Sequence, residues 1–147
     1  MSSEAVILDS DTLALLSRGE PRVSARTREY LERHGRLTIT AVTVFERLRG
    51  YRAALRVGKP FESQLRSFET LVSSCVVLPF DLAAADEAAR IWAALGSRAR
   101  RALGDVFIAG IASANRRPLV TRNARDFAPI AALDFVRLPL LDWSKGR

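Results

Sequence analysis

The sequence predicts an α/β fold: three layers, α/β/α, with a parallel central sheet of about five strands and an inserted helical hairpin. Short apolar or β-branched runs (AVIL at 5–8, LTIT at 37–40, CVVLP at 75–79, PLVT at 118–121 and DFVRL at 134–138) alternate with longer segments of helical periodicity. Alternating βα units of this length imply parallel strands covered by helices on both faces. A length of 147 residues and 48% hydrophobic content suit one domain, residues 1–147, with a sizeable core.

Taken in order, AVIL leads into an amphipathic segment through Leu13, Leu15 and Leu16 that stops near Gly19 and Pro21. Residues 22–34 are charged with helical spacing and end at Gly35. After LTIT, residues 44–57 and 61–73 read as two helices separated by Gly58 and Pro60, which make the hairpin. CVVLP is the third strand. Asp81 is placed to cap an alanine-rich helix over 82–95, whose apolar positions include Leu82, Ile91, Trp92 and Leu95. The basic stretch SRARRALG reads as loop or frayed turn. DVFIAGIASAN (105–115) reads as a buried helix with a capping aspartate, PLVT as the fourth strand and DFVRL as the last.

The net charge is +7 and the pI near 10.9, and all 23 basic residues except Lys59 and Lys145 are arginine. Arginine presents a fork that matches phosphate, so nucleic acid is the leading charged partner, with base composition or an anionic protein as other accounts of the bias. The longest apolar runs are too short to cross a bilayer, and MSSEAVILDSD carries no signal-peptide pattern, so the expectation is a soluble, cytoplasmic protein without membrane contact. Cys75, the single cysteine, reads as a small buried hydrophobe, and His34, the single histidine, lies in a charged helix and argues against zinc.

Ligand sites in parallel α/β folds lie at the carboxyl ends of the strands. Asp9 follows the first strand, Glu46 comes soon after the second, Asp105 opens the helix before the fourth, and Asn123 and Asp126 follow the fourth. Carboxylates gathered there repel one another unless a divalent cation neutralises them, and oxygen-only donors favour Mg²⁺ or Mn²⁺. Each acid also has a purely structural reading. Asp9 or Asp11 can cap the first helix, with capping the expected role of Asp11. Glu46 closes Thr43-Val44-Phe45-Glu46, which has capping-box spacing. Asp105 can be a plain cap, Asp126 a turn acid, and Asp86 and Glu87 a solvated helix face.

The segments VILDSDTLALL, ITAVTVFERLRG, LGDVFIAGIASA and PLVTRNARDF, with a terminal RLPLLDW, resemble the PIN domain family, most closely VapC-type toxins of bacterial toxin-antitoxin pairs. The resemblance runs along essentially the whole chain. It implies a metal site built from Asp9, Glu46 and Asp105, with Asn123 or Asp126 as the fourth member and Ser10 and Thr121 supporting from behind. This chain departs from the family pattern in having an acid at Asp11, and in how closely Gly104 precedes the third acid.

The resemblance further implies a Mg²⁺- or Mn²⁺-dependent endoribonuclease leaving 5′-phosphate and 3′-hydroxyl ends. Arg47, Arg49, Arg122 and Arg125 would grip the RNA. The implied partners are a cognate antitoxin and a second copy of the chain, giving a homodimer and a toxin-antitoxin hetero-oligomer. Two other functions fit parts of the pattern: a catalytically inactive PIN-like RNA-binding or interaction module, and a haloacid-dehalogenase-like phosphatase suggested by the aspartate pair. The second is weakened because Thr12 follows the pair one place early and neither lysine has a strand-end setting.

Overall fold

The computed structural model describes residues 4–100 and 102–146, and for residues 98 and 99 the backbone only. The elements run β1 (Ile7–Leu8), α1 (Ser10–Ser17), α2 (Pro21–His34), β2 (Thr38–Thr40), α3 (Ala41–Arg56), α4 (Glu62–Ser73), β3 (Val76–Leu78), α5 (Leu82–Ala94), α6 (Ser97–Arg100), α7 (Leu103–Ala114), β4 (Leu119–Val120), α8 (Ala124–Ala131) and β5 (Leu140–Leu141).

Every strand pairing is parallel. β4 lies between β1 and β5, with Ile7 opposite Leu119 and Leu119 opposite Leu140, while β2 pairs with β3 from Thr38–Val76 to Thr40–Leu78. The expected five-stranded sheet is thus a three-stranded and a two-stranded sheet, in contact along β1 and β2 without ladder bonds between them. Because the strands of each sheet are parallel, their carboxyl ends within it share one edge.

Side chains that alternate along β1 and β4 point to opposite faces and nucleate two cores. Ile7 and Leu119 pack with α5, α7 and α8 residues such as Ile91, Ile108 and Phe127. Val6, Leu8 and Val120 pack on the other side with Leu13, Val23, Tyr30 and Trp143. The helical layers on both faces follow from this alternation. α5 and α7 cross closely because Gly110 lacks a side chain: a Cβ there would lie 2.8 Å from the Ala84 carbonyl oxygen and the Ala88 Cβ.

Several boundaries differ from the sequence reading. The last strand is Leu140–Leu141, not 134–138. The apolar alternation of DFVRL comes from Val136 and Leu138 filling the core from irregular backbone, and the chain reaches β4 only at Pro139, whose carbonyl accepts from the Leu119 amide at 2.9 Å. Part of SRARRALG forms α6, and Arg100 bonds the Trp92 and Ala93 carbonyls at the end of α5 at 3.0 and 3.2 Å. Residue 101 of that stretch lies outside the described residues. α3 begins before Thr43 and is capped by Thr40, whose hydroxyl accepts from the Thr43 amide at 3.0 Å. Glu46 therefore lies past the first turn and belongs to no capping box.

The expected helix cap, helix stop and buried cysteine hold. Asp81 caps α5 through the Ala84 amide at 3.0 Å, and Gly35 ends α2 at φ 78°, a conformation open to glycine. Cys75 is buried, and His34 stacks on Tyr30 with ring centroids 4.2 Å apart. Asp86 is exposed, but Glu87 accepts from the Ser113 hydroxyl of α7 at 2.8 Å and pairs with Arg90 at 3.4 Å. Among the described residues, no helix is long and apolar enough to cross a membrane.

Candidate active site

Asp9 ends β1 and caps α1. Its Oδ1 accepts from the Ser10 amide at 2.8 Å, and its Oδ2 accepts from the Thr121 hydroxyl at 3.0 Å. The side chain is only 7% exposed. Burial, then the charge of Asp11, pushes its pKa up to about 7; the two hydrogen bonds pull the other way and the Asp105 charge adds a smaller push. Ser10 serves through its backbone.

Asp11 does not cap the helix, contrary to expectation. Once Asp9 has taken the first free amide of α1, Asp11 sits in the first turn and faces the end of β4. Its Oδ2 accepts from the Arg122 amide at 3.1 Å and lies 3.4 Å from the Thr121 hydroxyl. Thr121, fully buried, also accepts from the Asn123 amide at 3.0 Å. One hydroxyl therefore ties the end of β1 to the loop into α8.

Asp105 lies in the first turn of α7, which begins at Leu103, so it is no N-cap and its carboxylate is left free of that duty. Burial raises its pKa to about 6, followed by the charges of Asp126, Glu46 and Asp11. Glu46, on α3, is also raised, chiefly by burial, with Arg49 opposing. Glu46 approaches α7 across Gly104, where a Cβ would stand 2.6 Å from Glu46 Oε2. The role of Gly104 was not legible in the sequence; its place one residue before Asp105 is the only signal. Glu46, Arg49, Gly104 and Asp105 share a groove of about 630 Å³ with Phe45, Phe80 and Phe107.

Asn123 and Asp126 are exposed on the rim, Asn123 at the N-cap position of α8 without a side-chain cap bond and Asp126 in the first turn. Asp126 reaches Asp105 through its charge. Arg122 and Arg125 are exposed on the same loop. Arg47 is placed elsewhere, a correction to the sequence reading. One residue along α3 from Glu46 turns it away, and its guanidinium lies over Tyr51 and Phe68 at 5.7 and 5.4 Å while donating to the Tyr51 hydroxyl at 2.9 Å.

Among the described residues, no three acidic, histidine or cysteine side chains stand close enough to grip one ion as they lie. The donor chemistry nonetheless suits a hard divalent cation. Asp105 feels Glu46, Asp11 and Asp126, and Asp9 feels Asp11 and Asp105, with Arg49 the cation that opposes them at Glu46. Partly buried like charges with so little compensation are what a bound cation relieves.

Residues 6–133 match the family described as PIN domain. No curated protein matches the chain. Among solved structures it is similar to DNA-bound VapBC from Salmonella typhimurium, at 25% identity over 95% of this chain and 98% of that one, TM-score 0.78. It is also similar to VapBC-1 from nontypeable Haemophilus influenzae, at 22% identity over 96% and 99%, TM-score 0.72. VapBC-5 from Mycobacterium tuberculosis, a member of the VapBC family of toxin-antitoxin systems, matches at 24% identity over 95% and 98%, TM-score 0.61.

Proposed function

The chain belongs to the PIN domain family, and from that premise we propose that it is a metal-dependent endoribonuclease, the toxin of a toxin-antitoxin pair, built as one domain over residues 1–147. The observation that carries the reading is the set of mutually repelling carboxylates at the carboxyl edge of the parallel strands, centred on Asp105. Solved relatives described as VapBC complexes support the toxin-antitoxin part.

Asp9, Asp105, Glu46 and the Asn123/Asp126 loop would hold Mg²⁺ or Mn²⁺. The bound ion supplies charge neutralisation at the scissile phosphate and a water of lowered pKa. Asp9 is oriented by the Ser10 amide and the Thr121 hydroxyl, so its carboxylate enters the site at a set angle. Glu46 reaches over Gly104 toward Asp105, where it would bind the ion directly or through a water. Arg49, Arg122 and Arg125 supply positive charge for the RNA backbone. Arg47 is withdrawn from that role.

The partners we propose are single-stranded RNA, a cognate antitoxin and a second copy of the chain. Phe45, Leu82 and Leu103 are 60%, 86% and 47% exposed, which supports apolar surface awaiting a protein partner. A cytoplasmic location follows from the same reading.

The test is cleavage of single-stranded RNA by the purified chain with Mg²⁺, Mn²⁺ or EDTA, alongside Asp9→Asn and Asp105→Asn. The expected result is cation-dependent cleavage that falls by about 100-fold or more in both variants while their folds persist. Full activity in both variants, or cleavage indifferent to EDTA, would overturn the assignment.

A further inference from the structure

We propose that Asp11 is a positioning residue whose hydrogen bond to the Arg122 amide sets the loop carrying Asn123 and Asp126 against Asp9 and Asp105. The inference rests on the nuclease reading above and goes beyond it, because Asp11 there has no assigned work.

The geometry is specific. Asp11 Oδ2 accepts from the Arg122 amide at 3.1 Å, joining residues 111 positions apart, and the next amide, that of Asn123, donates to Thr121 Oγ1 at 3.0 Å. Two successive amides of the loop are thus held from the β1–α1 side, one directly and one through Thr121. Thr121 Oγ1 has a single proton and lies nearer Asp9 Oδ2, at 3.0 Å, than Asp11 Oδ2, at 3.4 Å. The hydroxyl therefore serves Asp9, and Asp11 is left to hold the backbone. Thr12, beside Asp11, bonds the Val120 carbonyl at 3.2 Å and fixes α1 to the end of β4, so Asp11 works from a rigid base.

Beyond the clamp the chain stays at the surface until Phe127 and Ile130 of α8 enter the core. Residues 122–126 are all exposed, and Asn123 makes no side-chain cap bond. Loss of the Asp11 acceptor frees the Arg122 amide and lets residues 122 and 123 shift, disturbing the first turn of α8 that holds Asp126 near Asp105. A carboxylate is not needed for this: any side-chain oxygen at the same reach suffices. Asparagine keeps the acceptor and removes the charge; alanine removes both.

The experiment compares wild type with Asp11→Asn and Asp11→Ala, with Asp11→Leu as a second deletion of the acceptor should the alanine variant fail to fold. Two readouts are taken: RNA cleavage with kcat and KM separated, and hydrogen exchange of the Arg122 and Asn123 amides in cation-free protein. Asp11→Ala is expected to speed exchange of the Arg122 amide at least 10-fold and to lower kcat about 10-fold with KM little changed. Asp11→Asn is expected to restore both to within about 3-fold of wild type. Unchanged exchange in Asp11→Ala overturns the proposal. So does faster exchange with full kcat, or an asparagine variant as impaired as the alanine one, which would mean that the charge acts directly. Should the wild type cleave no RNA, the nuclease reading fails, while the exchange readout still decides whether Asp11 holds the loop.

Discussion

The Thr121 hydroxyl donates to Asp9 Oδ2 at 3.0 Å, joining residues 112 positions apart through the parallel pairing of β1 with β4. Both side chains are buried, so no water replaces that bond when it is lost. Thr121→Val is expected to lower kcat/KM about 10- to 100-fold, and Thr121→Ser to recover most of it. Steady-state cleavage of a labelled RNA, with Tm as a control for folding, checks this; a valine variant with wild-type kinetics would remove Thr121 from the site.

The raised acids tie stability to pH. With Asp9 at about 7 in the fold against 3.8 otherwise, and Asp105 at about 6, the folded chain binds more protons than the unfolded chain across that window. Stability therefore falls as pH rises from about 4 toward 7, and it is fully present only below the unfolded values. Asp9→Asn is expected to stabilise the cation-free chain at pH 8 by on the order of 2 kcal/mol, a gain that vanishes near pH 4. Mg²⁺ should raise the wild-type Tm more at pH 8 than at pH 5, since protons compete for the same oxygens. Thermal melts across this range test both; a Tm indifferent to pH and to Mg²⁺ contradicts them.

Two glycines on α7 separate stability from activity. At Gly110 an added Cβ meets backbone and the Ala88 methyl, so Gly110→Ala is expected to cost about 1–3 kcal/mol by overpacking the α5–α7 contact. At Gly104 the added Cβ meets only the end of the Glu46 side chain, which can swing aside. Gly104→Ala should keep its Tm and lose activity as Glu46 is displaced from Asp105. Equal losses of Tm in the two variants would count against the placement of Glu46.

The arginines divide by location. Arg122→Gln and Arg125→Gln are each expected to reduce the slope of log affinity against log salt by about 1, the signature of one lost phosphate contact. Arg47→Ala should leave that slope unchanged and instead lower stability by about 1–2 kcal/mol through lost packing on Tyr51 and Phe68. Salt titrations of RNA binding by a catalytically dead variant distinguish the two groups.

Signals carried by neighbours in the chain were legible without coordinates. LTIT formed a strand, Asp81 capped its helix, Gly35 ended one, and the order of βα units implied the parallel pairing that sets Asp9, Glu46, Asp105 and Asn123 or Asp126 along one edge. The apolar alternation of DFVRL misled, because an irregular segment that plugs a core can alternate as a strand does.

What needed the tertiary structure was the division of labour among chemically equivalent residues. Asp9 and Asp11 are two carboxylates two positions apart, and only the docking of β4 gives one the Thr121 hydroxyl and the other the Arg122 amide. Arg47 and Arg49 look alike in sequence, yet one lies over Tyr51 and Phe68 and the other beside Glu46, because successive positions on a helix point in different directions. Local sequence encodes periodicity, caps and turns, whose partners lie within a few residues. The contacts that separate Asp9 from Asp11 span more than 100 positions, and they exist only once β1 and β4 have paired.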